Sequence, residues 1–383
     1  LHLHFRFMYH LLNMLDAIVK KRTDIMKKHN YKYDVIRIVL TVLVVIGHAN
    51  YYNAGNAYGG IYIADQMSAA GIADTAFHGF AEQIKQLIYT FHMPAFFALS
   101  GTLFYSQLKN GRFNSVTEVM KNKISRLVVP FVFVYLFWNT PIKIFSGYYS
   151  QSENILKDIL MQMFIPTNMY LWYLEALFFD FVCAYLLCKY AKKTWRINTT
   201  SFAVYMAVLF LERATEITTL FGNPLRYLLW FVFGMNLNKY GKVAKNHLNR
   251  FKWGVLLLAA LWIIGYYGLE YLPHLVWLAK DLYLASVGIL IVWVICELVS
   301  ERLTDKEKQL ISRLSGYSFG VYLYAEPLNY LFVVLFVKYF GLNFLGNECG
   351  ACFLWVLRIV GTSLIAVVVV KILKKTNMKL TVS

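Results

Sequence analysis

The chain has 383 residues, 58% of them hydrophobic and only 15% charged, a balance far more apolar than that of a soluble domain. Its net charge of +17 raises nucleic acid as a partner, but the basic residues sit in alternate loops between apolar runs, so the charge belongs to membrane topology instead. Many runs of about 20 apolar residues predict an all-α, polytopic membrane protein with about ten transmembrane helices.

Residues 1–30 read as an N-terminal segment. Leu1 to Tyr9 has neither a cationic start nor a small-residue cleavage site, so a signal peptide is not expected. Leu11, Leu12, Met14, Leu15, Ile18 and Val19 recur at helical spacing, as in an interfacial helix. The alternative is a translation start at Met14 or Met26. A single membrane domain is expected over 31–375 and a cytoplasmic tail over 376–383, because no polar stretch is long enough for a separate soluble domain.

Ten spans are expected, at about 33–52, 84–105, 127–145, 170–188, 199–213, 224–238, 253–271, 280–299, 316–340 and 352–371. Lysines and arginines crowd every second connection. Lys27 and Lys28 precede span one, and Lys109, Lys121, Lys123 and Arg126 separate two from three. Lys192 and Arg196, Lys239 and Lys242, Arg302 and Lys306, and finally Lys374 and Lys375 continue the alternation. By the positive-inside rule both termini are cytoplasmic, in a multi-pass protein of the plasma or inner membrane.

The first span carries Arg37 and His48, eleven positions apart, which is three turns plus about 20°. They share a helix face with Asp34, Thr41 and Val44, separated by roughly 16 Å along the axis. A polar stripe on a spanning helix must face protein or water and suggests function; the other reading is that Arg37 marks the membrane boundary and His48 caps the far end. The connection at about 50–83 is rich in Tyr, Gly, Ala and Asn, a composition suited either to a sugar or to plain solvation.

In span two, Phe91-His92-Met93-Pro94 predicts a proline kink beside a cavity. Lys123 and Arg126 enter span three, where ordinary cytoplasmic anchoring also explains them. Glu175 and Asp180 in span four are acids in an apolar run and need partners. Span nine breaks at Glu326-Pro327, and Arg358 of span ten is the candidate partner of Glu326, in a structural neutralisation. Cys349-Gly-Ala-Cys352 has no second pair or histidine cluster beside it, so neither a metal nor a redox role is expected.

Taken together and in order, these motifs resemble the acyltransferase 3 family of integral membrane acyltransferases. They are Arg37-x10-His48, Phe91-His-Met-Pro through Ser100-Gly101, and Lys123-x2-Arg126-Leu-x2-Pro130. Leu171-Trp-Tyr-Leu-Glu175, Phe233-Gly234 and Ser318-Phe-Gly-Val-Tyr-Leu323 complete the set. The Phe-His-Met-Pro form is most similar to the fucose 4-O-acetylase-like subgroup. Two departures stand out: Lys123 replaces a common arginine, and Ala325 stands where relatives often carry histidine.

The resemblance makes 31–375 the acyltransferase domain. It implies acyl-CoA, usually acetyl-CoA, as a co-substrate from the cytoplasm, no permanently bound cofactor, and a surface carbohydrate or lipid-linked glycan as acceptor. Membrane lipids are the other expected partner. Under this reading His48 is the general base, and Arg37, Lys123 and Arg126 bind the donor phosphates. Arg37 alternatively orients the thioester or its oxyanion. Asp34, His92, Ser100 and Glu175 support or bind substrate, with Glu175 holding a histidine or a sugar hydroxyl. No strong nucleophile motif is present, which favours direct transfer over an acyl-enzyme. The competing class is a secondary transporter or exporter of a glycan-linked substrate, since broken helices and midplane charges suit transporters.

Overall fold

The computed structural model describes residues 29–164, 170–214, 222–248, 254–268 and 276–376. The interfacial helix expected within 11–19 and the alternative starts at Met14 and Met26 lie outside the described residues.

The first expected span corresponds to helix α1 (Tyr31–His48). Asn30 begins it, its side-chain oxygen accepting from the Lys32 backbone N–H at 3.2 Å, and Asp34 in the first turn complements the helix dipole. The stretch after it is not a plain loop. It folds into a hairpin of β1 (Asn53–Asn56) and β2 (Gly59–Tyr62), then α2 (Ile63–Ala69). Asn53 pairs with Tyr62 and Asn56 with Gly59, a short hairpin within a chain that is otherwise all-α as expected. Position 59 demands glycine, because its φ is +147° and a Cβ there would strike the Tyr148 carbonyl. The neighbouring Gly60 N–H donates to that carbonyl at 2.9 Å, tying the hairpin to the far end of the third span.

The second span comprises α3 (Ala76–Tyr89) and α4 (His92–Lys109). The break falls at Thr90–Phe91, before the proline rather than at it. Pro94 therefore occupies the first turn of α4, where a missing N–H leaves no gap in the ladder. The third span starts earlier than expected, at a Ser115 cap whose hydroxyl accepts from the Glu118 N–H. It runs through α5 (Val116–Lys123), α6 (Val129–Val134) and α7 (Thr140–Phe145), joined by π-helical turns at Ile124–Val128 and Tyr135–Asn139.

The rest follows as α8 (Ile155–Phe164), α9 (Trp172–Ala191), α10 (Thr194–Ala214), α11 (Gly222–Leu248) and α12 (Gly254–Gly268). Then come α13 (Val276–Arg302), α14 (Asp305–Ala325), α15 (Leu328–Phe340), α16 (Leu342–Leu345) and α17 (Glu348–Lys375). The axes of α14 and α15 differ by 57° across Glu326-Pro327, the break expected in span nine.

Among the described residues, four helical segments are long and apolar enough to cross a membrane: Ala76–Lys109, Val116–Phe145, Ala279–Arg302 and Glu348–Lys375. The bent pair α14–α15 makes a fifth if taken as one broken span. Polar insertions explain why α1 and α9 stand apart from this set: α1 carries Lys32, Asp34 and Arg37, and α9 carries Glu175, Asp180 and Lys189.

Helix α1 is enclosed by α14, α13, α3 and α4. The most extensive helix contact joins α4 to α11, and here two of the sequence motifs meet. A Cβ on Gly101 would collide with the Phe231 carbonyl, and one on Gly234 with the Ala98 carbonyl. Thr102 Oγ1 donates to the Gly234 carbonyl at 2.7 Å, and Asn238 Nδ2 donates to the Thr102 carbonyl at 3.1 Å. Small residues and interhelical hydrogen bonds hold helices together where lipid offers no hydrophobic drive. Substituting Gly234→Val should force the backbones apart and destabilise by about 1–3 kcal/mol or more. The expected outcome is an early melting transition in detergent; a melting curve that overlays the parent would contradict this packing account.

Candidate active site

Two cavities lie along α1, and its polar stripe lines both. Arg37 and Thr41 face the first, Val44 and His48 the second. The face expected from the spacing of Arg37 and His48 is thus the face turned to these cavities.

The cavity at the Arg37 end has a volume of about 250 Å³. Arg37 is fixed from behind: its Nη1 donates to Asp34 Oδ1 at 3.1 Å and to Ser315 Oγ at 2.6 Å. Ser315 Oγ in turn donates to Asp34 Oδ1 at 2.8 Å, and the second Asp34 oxygen bonds His29 Nε2 at 2.6 Å. Asp34 therefore serves as a buried anchor that aims a guanidinium, rather than as a surface of the cavity. Lys123 and Arg126 lie at the π-helical turn and both line the same cavity. Such turns often occur at functional sites. Lys123 is only 6% exposed and its ammonium sits 3.5 Å from the Phe181 ring centroid. Among the described residues no carboxylate pairs with Lys123 or Arg126, so three cations converge on a space that Asp34 only partly neutralises. Such a cavity attracts an anion.

Ser100 also lines it, sharing a 3.2 Å hydrogen bond with the Tyr173 hydroxyl. Tyr173 and Tyr322 meet edge to face with centroids 5.5 Å apart. Tyr322 lines both cavities, and its hydroxyl donates to the Tyr170 carbonyl at 2.5 Å. It is the partition between them.

The cavity at the His48 end is larger, about 450 Å³. His48 and His92 both line it, together with Glu326 and a wall of aromatics that includes Tyr51, Tyr89 and Trp172. Residues Asn53, Ala54 and Gly55 of the hairpin close one side. His92 Nδ1 lies 2.9 Å from the Ile88 carbonyl. A carbonyl can only accept, so Nδ1 carries the proton and Nε2 keeps its lone pair in the neutral ring. His48 Nδ1 is buried without a hydrogen-bond partner. Beyond the third span, burial pushes the Tyr148 hydroxyl well above its ordinary value, so at neutral pH that wall of the cavity offers a phenol and not an anion.

Two sequence expectations are corrected here. Arg358 does not pair with Glu326. It is 1% exposed and donates to the Asn329 side chain at 3.0 Å, the Tyr51 carbonyl at 2.6 Å and the His48 carbonyl at 3.3 Å. The physical reason is the end of α1: the carbonyls of its last residue His48 and of Tyr51 just beyond it lack helical partners, and a guanidinium fork can serve several at once. Glu175 is half-buried on α9, lines neither cavity and bonds neither histidine. Sequence reasoning passed over Ser315 and the partition role of Tyr322. Tyr322 stood within the Ser318-to-Leu323 motif, which names a residue but not its place between two cavities, and Ser315 carries no pattern of its own.

The family model for an acyltransferase domain, Acyl_transf_3, matches residues 30–374. No curated protein and no solved structure matches. The match spans α1 through nearly all of α17 and so takes in both cavities and every motif that shapes them. The chain belongs to the acyltransferase 3 family and is a membrane O-acyltransferase.

Proposed function

We propose that the chain transfers an acyl group, most simply acetyl, from acetyl-CoA in the cytoplasm to a hydroxyl of a surface glycan or glycan precursor. The topology belonging to this reading has ten spans, both termini in the cytoplasm, the Arg37 cavity facing inward and the His48 cavity facing outward in the plasma or inner membrane. The observation that carries it is the continuity of one helix face, from three convergent cations to an imidazole across a shared tyrosine partition.

Arg37, Lys123 and Arg126 supply charge-assisted hydrogen bonds to the donor's phosphates. The thioester arm then crosses the roughly 16 Å of α1 between Arg37 and His48, past Tyr322. The imidazole of His48 takes the proton of the acceptor hydroxyl, whose oxygen attacks the thioester carbonyl. The tetrahedral intermediate collapses, the C–S bond breaks, and the CoA thiolate takes the proton back from the imidazolium. An ester and free CoA result, with no acyl-enzyme. His92, Ser100 and Asp34 act on position rather than on bonds.

The direct experiment compares O-acetylation of the host's surface glycan, by mass spectrometry and NMR, with and without the gene. An unchanged acetyl content would refute the acceptor class. A second expectation concerns the donor: Arg37→Ala should raise the KM for acetyl-CoA at least tenfold in membranes while the acceptor KM moves little. An unchanged donor KM would remove Arg37 from the CoA path.

A further inference from the structure

We propose that Glu326 is a specificity-determining group that grips the acceptor. It accepts a hydrogen bond from a second hydroxyl of the acceptor sugar, distinct from the one acylated. The inference rests on reading the His48 cavity as the acceptor site.

Glu326 follows the last turn of α14, at the break before Pro327, and lines the same cavity as His48 and His92. It is 5% exposed, and its two oxygens differ. Oε1 accepts from the Tyr330 hydroxyl at 2.9 Å, whereas Oε2 is buried with no hydrogen-bond partner. The two nearby cations are both turned elsewhere. The Lys143 ammonium donates to Gln162 Oε1 at 3.0 Å and lies 4.2 Å from the Tyr148 ring centroid. Arg358 spends its donors on Asn329 and two carbonyls. These cations offset the charge of Glu326 without occupying its free oxygen.

A carboxylate kept only for stability would be satisfied on both oxygens, because a buried acceptor left unpaired costs about 1–3 kcal/mol, and more for a charged group. Ionised, it can only accept hydrogen bonds, so it selects a donor. The aromatic lining suits the faces of a sugar ring. A sugar hydroxyl supplies the donor. His48 removes a proton from one hydroxyl, and the carboxylate, presented from the break after α14 into the same cavity, accepts from another.

The test uses membranes containing the full chain, acetyl-CoA, and the host's surface glycan stripped of O-acetyl esters by mild alkali. Glu326→Gln keeps the shape and removes the charge. It should raise the KM for the glycan at least tenfold and leave the KM for acetyl-CoA within twofold. Should that variant fail to accumulate, Glu326→Asp carries the same test, with a severalfold rise in glycan KM alone. An unchanged glycan KM, or a fall confined to kcat, would overturn the assignment while leaving the acylation reading intact. If the parent protein transfers no acetyl to the glycan, the functional reading fails first and the role of Glu326 with it.

Discussion

His48→Ala should remain in the membrane, with unaltered detergent melting, and lose acyl transfer by a factor of about 10²–10⁴, the range that a positioned general base supplies. The residue sits at the end of α1, its Nδ1 satisfied by no protein group, so its removal breaks no internal bond. Stability and activity should therefore separate cleanly in this variant. His92 lines the same cavity and is the natural control. Its Nδ1–H is committed to the Ile88 carbonyl, which fixes the ring and leaves Nε2 as a lone-pair nitrogen. His92→Ala should lower transfer by about tenfold or less, since it loses orientation rather than the base. Assayed side by side as acetyl incorporated into glycan, an inactive His92 variant beside an active His48 variant would exchange the two roles.

Much of this arrangement was legible in the sequence, and for a definite reason. The polar stripe of α1 follows from a helical period of 3.6 residues, which is set by backbone geometry and survives any packing. Arg37, Thr41, Val44 and His48 accordingly turn to the cavities as their spacing requires. Proline positions likewise marked the breaks near Pro94 and at Pro327, although the first break falls ahead of its proline. What the sequence concealed depends on contacts between distant residues. Gly101 and Gly234 look like separate motif letters until α4 and α11 are brought together, 133 positions apart in the chain. Ser315, which completes the anchor of Arg37, lies on α14 with no local signal. The assumed Glu326–Arg358 pair shows the same limit from the other side. Opposite charges on antiparallel neighbouring spans, several ångströms apart in depth, suggested an ion pair, but backbone carbonyls, which are invisible as letters, took the guanidinium.

Arg358 yields the second large effect. Its three acceptors come from two different places: the end of α1 through His48 and Tyr51, and the start of α15 through Asn329. The side chain therefore fastens the helix bearing the imidazole to the segment just beyond Glu326. Hydrogen bonds from a charged donor contribute about 1.5–3 kcal/mol each and do not add fully. Arg358→Met fills much of the volume but strands all three acceptors in a buried setting, so a loss of about 3–5 kcal/mol is expected. This should appear as poor accumulation and a lowered melting temperature in detergent. Arg358→Lys is the more informative variant. A single ammonium keeps the charge yet cannot span three acceptors with the geometry of a planar fork. The chain should then fold, with the end of α1 free to shift against the cavity. Because small displacements of reacting groups cost about 10²-fold in rate, kcat should fall steeply while the KM for acetyl-CoA, which the proposed function places at the far end of α1, stays near the parent value. A parental kcat in Arg358→Lys would mean that His48 is held in place by helix packing alone.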